Sequence, residues 1–133
     1  MNKSLLIAAL LLIAAPVAAK TPAHHAPAPP PPPFDFGGGW DSNLGDLRVE
    51  QEGSHFTATY PSSHGRLSAE VKGNVAEGYW AQSTGSQRCD TMKLDSPYWG
   101  RIEMIAQPGG HRFEGSWSYC GGSPNISVEG KRR

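Results

Sequence analysis

The sequence predicts an all-β fold, an antiparallel up-and-down meander of about eight short strands that forms a small closed or partly open barrel. Three observations support this prediction. Apolar and polar residues alternate over short runs, as they do in half-buried strands. Glycine-containing turn sequences separate these runs. One hairpin pattern also occurs three times. We expect strands at 46–52, 55–60, 65–72, 74–81, 88–94, 100–107, 111–119 and 125–129.

The repeated hairpin begins with a glycine and ends in an aromatic residue. Its three copies are GDLRVEQEGSHFTATY, GRLSAEVKGNVAEGYW and GRIEMIAQPGGHRFEGSW. A small residue stands two positions before the final aromatic residue in each copy. These small residues are Ala58, Gly78 and Gly115. We expect them to make room for rings from neighbouring strands inside the barrel, and we expect glycine to let a strand coil sharply.

The chain divides into four parts. Residues 1–19 have the lysine, the apolar run and the small terminal residues of a secretory signal peptide; an uncleaved anchor or a buried helix is the alternative. Residues 20–36 are proline-rich and are expected to form an extended linker outside the fold. The barrel domain is expected at 37–130, and a solvated basic tail at 131–133. We therefore expect an exported protein, periplasmic or secreted, with no integral membrane span after cleavage.

The two cysteines of the chain, Cys89 and Cys120, predict a disulfide, because an even pair in an exported chain is usually bonded. Closing a loop of this length would contribute roughly 3.5 kcal/mol in the chain-entropy model. The alternative is a metal site that adds Asp90 and His111. No metal-ligand spacing supports that site, so we expect neither a metal nor another cofactor.

The charge of the barrel segment argues against a nucleic-acid partner. Between residues 37 and 130 the chain carries seven basic and eleven acidic residues. Proteins that bind a phosphate backbone need a surplus of lysine and arginine on the binding face. We therefore expect no nucleic acid among the partners.

The first hairpin has GWDSNLGD from Gly39 onward and ends in TATY at Tyr60. It resembles the opening hairpin of the avidin and streptavidin family, which has Gly-x-Trp, then Leu-Gly, then Thr-Gly-Thr-Tyr. The resemblance implies an eight-stranded barrel with biotin at one mouth, its ureido oxygen bonded at the positions of Ser42, Asp46 and Tyr60. Only Tyr60 matches the family, and an ionised Asp46 cannot donate to a carbonyl oxygen. We therefore do not expect biotin binding.

The three hairpin copies also resemble small exported bacterial proteins of unknown role that carry Trp-Gly and Gly-x-Trp hairpin repeats. Neither resemblance implies an enzyme. Ser62 and Ser63 stand beside His64, but no nucleophile signature frames them. We expect no catalytic residues and no enzymatic activity.

A binding module is the function that the sequence favours. Eight strands can enclose one small ligand, and aromatic residues with a few polar groups are typical of small-molecule and sugar sites. The candidate ligand-binding residues are Trp40, Ser42, Asp46, Tyr60, Trp80, Trp99 and Trp117. The alternative is a protein-interaction module, such as an envelope-associated inhibitor, with a filled barrel and with Tyr79 and Tyr119 exposed.

Overall fold

The computed structural model describes residue 14 and residues 27–133. The predicted signal peptide and the first part of the predicted linker therefore lie almost entirely outside the described residues. Eight strands follow one another: β1 Gly38–Ser42, β2 Gly45–Glu52, β3 His55–Tyr60, β4 Gly65–Lys72, β5 Val75–Gln82, β6 Tyr98–Ala106, β7 Arg112–Trp117 and β8 Ile126–Arg132. A 3₁₀ turn, Ser62–His64, joins β3 to β4. No helix in the described part of the chain is long and apolar enough to cross a membrane.

The strands form a closed barrel in which each strand pairs with the next and β1 pairs with β8. All eight pairings are antiparallel, so the predicted meander is confirmed. Alternation explains the side-chain directions. In β3, for example, Phe56, Ala58 and Tyr60 are buried, while the residues between them are exposed. Closure leaves no free strand edge in the sheet.

The predicted strand at 88–94 is wrong. Residues 83–97 form a long connection between β5 and β6, and only an isolated bridge, Lys93 with Ser96, occurs there. Strand β1, in contrast, was not predicted. Its segment, Gly38–Ser42, is too glycine-rich to alternate clearly, but it pairs along its whole length with β2. The predicted total of eight strands is nevertheless correct, because one predicted strand is absent and one strand that was not predicted is present.

The barrel has two ends, which we call the closed pole and the open pole. The closed pole carries the N-terminal segment, the C-terminus and the β2–β3, β4–β5 and β6–β7 turns. The open pole carries the other four connections. At the closed pole Phe36 is fully buried and lies 5.5 Å from the ring of Phe56. Gln51 accepts from the backbone N–H of Phe36 and donates to the carbonyl of Phe34, each at 2.8 Å. Residues 34–36 therefore belong to the fold, although the linker was expected to extend to residue 36.

Arg132, near the C-terminus, holds the N-terminal segment at the closed pole. Its guanidinium lies 4.2 Å from the ring centre of Trp40 and donates to the carbonyls of Gly37 and Asp35, each at 2.7 Å. Arg132 is also the last residue of β8. The expectation that residues 131–133 form a solvated tail is therefore corrected, because Lys131 and Arg132 complete strand β8.

A steric requirement explains why the small residue of the third hairpin copy, Gly115, is a glycine. A Cβ atom at Gly115 would overlap the carbonyl oxygen of Glu103 on the neighbouring strand β6. Gly78 stands in the same relation to the carbonyl oxygen of Ser68 on β4. Both glycines are therefore needed for the close approach of neighbouring strand backbones. The expectation had been that they make room for rings, but the atoms nearest to a Cβ at either position belong to the backbone of the neighbouring strand.

A second, smaller apolar cluster lies outside the barrel wall. The predicted disulfide between Cys89 and Cys120 is present, with Cα atoms 5.5 Å apart. Together with the 83–97 connection, it covers Trp99 and Ala81, which would otherwise face solvent. The disulfide therefore ties the long connection to the barrel near the open pole.

Candidate functional site

A pocket of about 100 Å³ opens at the open pole, and we call it the mouth pocket. Four strands and three connections contribute to it, since strand ends converge where the barrel opens. Its lining consists of four aromatic residues, two polar residues, two aliphatic residues and one glycine. These are Tyr60, Trp80, Trp117 and Tyr119, then Gln82 and Ser86, then Leu44 and Ile102, and Gly85.

Three aromatic rings form one wall of the mouth pocket. Trp117 lies 5.5 Å from Trp80 and 5.0 Å from Tyr119, and Trp80 lies 6.0 Å from Tyr119. All three pairs meet edge to face, the arrangement in which the positive edge of one ring meets the negative face of another. The wall is therefore held in place by contacts among its own rings.

Trp80 is held in this wall by a bond that crosses a neighbouring strand. Its Nε1 donates to the carbonyl of Ser118 at 2.9 Å. Gly100, the partner of Trp80 on β6, lies between these two residues. A Cβ atom at Gly100 would overlap the Ser118 carbonyl and the Trp80 indole. The absence of a side chain at residue 100 therefore sets the position of Trp80.

The hydroxyl oxygen of Tyr60 already accepts a hydrogen bond, whereas its proton is free to be donated. Gln82 Nε2 donates to the Tyr60 oxygen at 2.8 Å. Because an amide NH₂ can only donate, the O–H proton of Tyr60 stays available to another acceptor. Burial raises the pKa of Tyr60 above its ordinary value of 10.0, although the hydrogen bond from Gln82 and the charge of Arg66 act in the opposite direction. Tyr60 is thus a neutral donor at physiological pH.

Two further polar groups of the lining have no partner within the described residues. None of the hydrogen bonds in residues 27–133 involves Nε1 of Trp117 or Oε1 of Gln82. The indole nitrogen of Trp117 is not sealed from solvent, since residues 27–133 contain no buried side-chain nitrogen or oxygen that lacks a partner. Tyr119 resembles Tyr60 in this respect, since its hydroxyl oxygen accepts from Ser86 at 2.9 Å and its proton stays available. The residues that line the mouth pocket therefore supply three unused donors and the Gln82 acceptor, and none of these residues carries a charge at neutral pH.

The backbone at the open pole adopts conformations that side chains rarely accept. All five non-glycine residues with positive φ among the described residues lie in its connections. They are Ser63, His64, Leu94, Asp95 and Cys120. The turns of the closed pole use glycine for the same purpose, at Gly53, Gly73, Gly109 and Gly110. Strained backbone of this kind concentrates at functional sites, so its distribution favours the open pole.

The structure brings together three of the seven predicted binding residues, Tyr60, Trp80 and Trp117. The other four lie elsewhere. Trp40 is buried at the closed pole, and Trp99 is packed under the disulfide on the outer wall. The two polar candidates, Ser42 and Asp46, do not line the mouth pocket either.

Ser42 and Asp46 have local structural partners. The Ser42 hydroxyl donates to the carbonyl of Gly45 at 2.7 Å and accepts from the backbone of Leu44, so it closes the β1–β2 turn. Asp46 forms ion pairs with Arg48, at 3.3 Å, and with Arg133 on the outer wall. Its carboxylate therefore does not face the pocket.

Tyr119 and Gln82 were not predicted as pocket residues. Gln82 stands two residues after Trp80 in β5 and shares its side of the strand, so the period of two could have identified it. Tyr119 was expected to be exposed, but it lies just after the end of β7, where its ring packs against Trp117 and Trp80. Ser86 could not be found from the period of two, because it lies in the long connection rather than in a strand.

The alternative metal site is not assembled. Cys89 and Cys120 are bonded to each other, and His111 lies in the β6–β7 turn at the closed pole. In residues 14 and 27–133 no group of three histidine, cysteine or carboxylate side chains is placed to hold a metal.

Comparison of the chain with protein-family models, with curated proteins and with solved structures found no match. Small barrels serve many unrelated functions, so the fold alone does not assign one. The size, shape and chemistry of the mouth pocket are the features that bear on function.

Proposed function

We propose that the protein is an exported, non-enzymatic binding module whose mouth pocket holds one uncharged group of a small molecule or sugar. The observation that carries this proposal is the preorganised aromatic pocket with unused hydrogen-bonding groups at a single open pole. The closed pole is filled by Phe36 and its neighbours, so a ligand would enter from one side only.

The size of the mouth pocket limits what can enter. Its volume is about 100 Å³. An engineered apolar cavity of about 150 Å³ holds one benzene molecule, and sites that enclose whole drug-sized ligands start at about 300 Å³. We therefore expect the inserted group to be smaller than a whole six-membered ring, such as the edge of one ring, with the rest of the ligand resting on the rim.

The chemistry of the lining favours a ligand group that both accepts and donates hydrogen bonds. The donors are the hydroxyl groups of Tyr60 and Tyr119 and the indole N–H of Trp117, and the acceptor is Gln82 Oε1. A sugar hydroxyl can satisfy both kinds of partner, and a sugar ring can pack its C–H face against an indole. A charged group would lose its hydration without gaining an ion pair, at a large free-energy cost.

The placement of the termini supports a module presented on a tether. The chain enters the barrel at Phe34, at the closed pole, so the proline-rich segment before it leaves on the side opposite the mouth pocket. A stiff segment would hold the pocket away from whatever the N-terminus meets. The disulfide suits an oxidising compartment, which supports a periplasmic or secreted location.

We do not propose biotin as the ligand. Of the three positions that the avidin and streptavidin resemblance marks, only Tyr60 lines the mouth pocket. Ser42 and Asp46 are engaged in the β1–β2 turn and on the outer wall. Two of the three groups that the resemblance assigns to the ureido oxygen are therefore absent from the mouth pocket.

The test is a thermal-shift panel of neutral monosaccharides and small cyclic amides on residues 27–133, followed by tryptophan fluorescence titration. We expect at least one compound to raise the melting temperature. Trp117→Ala should abolish the shift, whereas Trp99→Phe, on the outer wall, should retain it. No stabilisation by any member of the panel, or equal loss in both variants, would contradict the proposal.

A protein partner is the second candidate. Tyr79 is 37 % exposed on the outer wall, lies 5.8 Å from Trp99, and has Lys93 4.9 Å above its ring; Met92 nearby in the chain is 62 % exposed. Exposed aromatic residues are enriched at interfaces. Affinity capture with the wild type and with Tyr79→Ala would test this candidate, since a partner bound here should be lost from the variant alone.

A further inference from the structure

We propose that the Cys89–Cys120 disulfide is a redox gate of the mouth pocket, whose reduction releases one pocket wall while the barrel stays folded. The relevant wall is residues 84–88, which we call the strap. The inference rests on the proposed function of the pocket for its biological meaning, but the gate itself can be measured without any ligand.

The strap is weakly attached to the rest of the protein. All five of its residues are exposed, although Gly85 and Ser86 line the mouth pocket. Within the described residues, no backbone hydrogen bond outside the regular ladders involves the strap. Its side-chain hydrogen bonds are one from Thr84 to Ser63, at 3.2 Å, and one from Ser86 to Tyr119, at 2.9 Å. Such a segment opens locally at a low free-energy cost.

The disulfide connects the strap to the aromatic wall. Cys89 directly follows the strap, and Cys120 directly follows Tyr119. One covalent bond therefore limits the separation of two walls of the same pocket. Cys120 also has a φ of 56°, a conformation that is uncommon for residues other than glycine. Breaking the disulfide would remove one of the constraints that keep Cys120, and with it Tyr119, in place.

The barrel ladder does not depend on this bond. The eight strands pair in a closed ring that excludes residues 83–97. The main core cluster is also separate from the small cluster of Ala81, Cys89 and Trp99 under the long connection. Reduction would therefore remove a cross-link and loosen the strap without deleting a ladder hydrogen bond.

The chemistry requires a dithiol reductant. One of its thiolates attacks a sulfur of the disulfide, forms a mixed disulfide and expels the other cysteine as a thiolate. Its second thiol then displaces the bound cysteine. Two electrons and two protons pass to Cys89 and Cys120, and the reductant becomes a disulfide. By linkage, a ligand that prefers the closed strap would make the protein disulfide harder to reduce.

The experiment compares the oxidised protein, the protein reduced with dithiothreitol, and the double variant Cys89→Ser with Cys120→Ser. Far-UV circular dichroism reports the barrel. Acrylamide quenching in a Trp99→Phe background reports the accessibility of Trp117, since Trp40 and Trp80 are buried. Hydrogen exchange of the Cys120 and Cys89 amides, bonded at 2.8 Å to the carbonyls of Trp99 and Pro97, reports the anchors of the strap.

We expect reduction and the double variant to raise quenching of Trp117 and exchange of both anchor amides severalfold, with the barrel spectrum unchanged. Met92→Ala, at an exposed residue of the same connection outside the strap, keeps the disulfide and should behave like the oxidised wild type. Unchanged quenching and exchange after complete reduction would overturn the gate, and so would unfolding of the barrel, which would make the disulfide a staple of the whole fold. Because these readouts use no ligand, a failed ligand panel leaves the result intact.

Discussion

Asn43 takes the place of a strand residue opposite Glu129. Its backbone N–H donates to the carbonyl of Glu129 at 3.2 Å, and its side-chain Oδ1 accepts from the N–H of Glu129 at 3.0 Å. Its Nδ2 donates to the carbonyl of Ser127 at 3.0 Å. The β1–β8 register covers only three residue pairs, so this side chain extends the pairing that closes the barrel toward the open pole.

Replacing Asn43 should therefore weaken the closure. We expect Asn43→Ala to lower the free energy of unfolding by about 1–2 kcal/mol, because two hydrogen bonds to the backbone of β8 are lost. Chemical denaturation would measure this. Asn125→Ala, at an exposed asparagine before β8, is the matched control and should change stability little. Equal effects of the two substitutions would show that Asn43 does not close the barrel.

Gly115 should not tolerate even one methyl group. Because its Cβ would overlap the carbonyl oxygen of Glu103, we expect Gly115→Ala to cost about 1–3 kcal/mol through displacement of β7 from β6. Gly121 has open space around its Cβ position and serves as the control. Melting temperatures of the two alanine variants would decide the matter, and a similar small effect at both positions would refute the backbone explanation.

Tyr60 should make the protein sensitive to alkaline pH. Its folded pKa is raised above 10.0, so the unfolded chain loses this proton first as the pH rises. The stability that its neutral form contributes is complete below pH 10.0 and is lost as the pH rises through the folded pKa. Urea unfolding at a series of pH values should therefore show a steeper alkaline decline for the wild type than for Tyr60→Phe. Parallel curves for the two proteins would contradict this expectation.

Arg132 should contribute more than a residue of a solvated tail. It donates to three carbonyls, those of Asp35, Gly37 and Gly110, and lies over the ring of Trp40. We expect Arg132→Ala to cost about 2–3 kcal/mol, since charge-assisted hydrogen bonds and a cation–π contact are lost together. Lys131→Ala, at the exposed neighbouring residue, is the control in the same denaturation experiment. If Arg132→Ala lowers the free energy of unfolding no more than the control does, residues 131–133 act only as a solvated tail.

Local patterns were sufficient for much of the fold. The alternation in HFTATY and the turn at Lys72-Gly73-Asn74 depend on neighbours in the chain, and β3 and β4 were predicted with their correct bounds. The weaker alternation of residues 88–94 misled the prediction. That segment is held by a disulfide and by packing on Trp99, which no local pattern reveals.

The candidate site was only partly predictable for a related reason. The alternation of apolar and polar residues predicts which side of a strand a residue occupies, but it does not predict the position of that residue along the barrel axis. Trp40 and Trp80 are both buried, yet they lie at opposite poles because β1 and β5 bring them to different levels of the barrel. Trp99 faces outward and is buried by the long connection.

By itself, the sequence determined the all-β class, the meander and the disulfide pair, because these follow from periodicity, turn chemistry and the presence of only two cysteines. The tertiary structure alone decided that the barrel closes, that residues 34–36 and Arg132 fill one pole, and that Tyr60, Gln82, Trp117 and Tyr119 meet at the other. These features depend on contacts between residues far apart in the chain. Strand register and barrel closure set those contacts, and neither is encoded in any short segment.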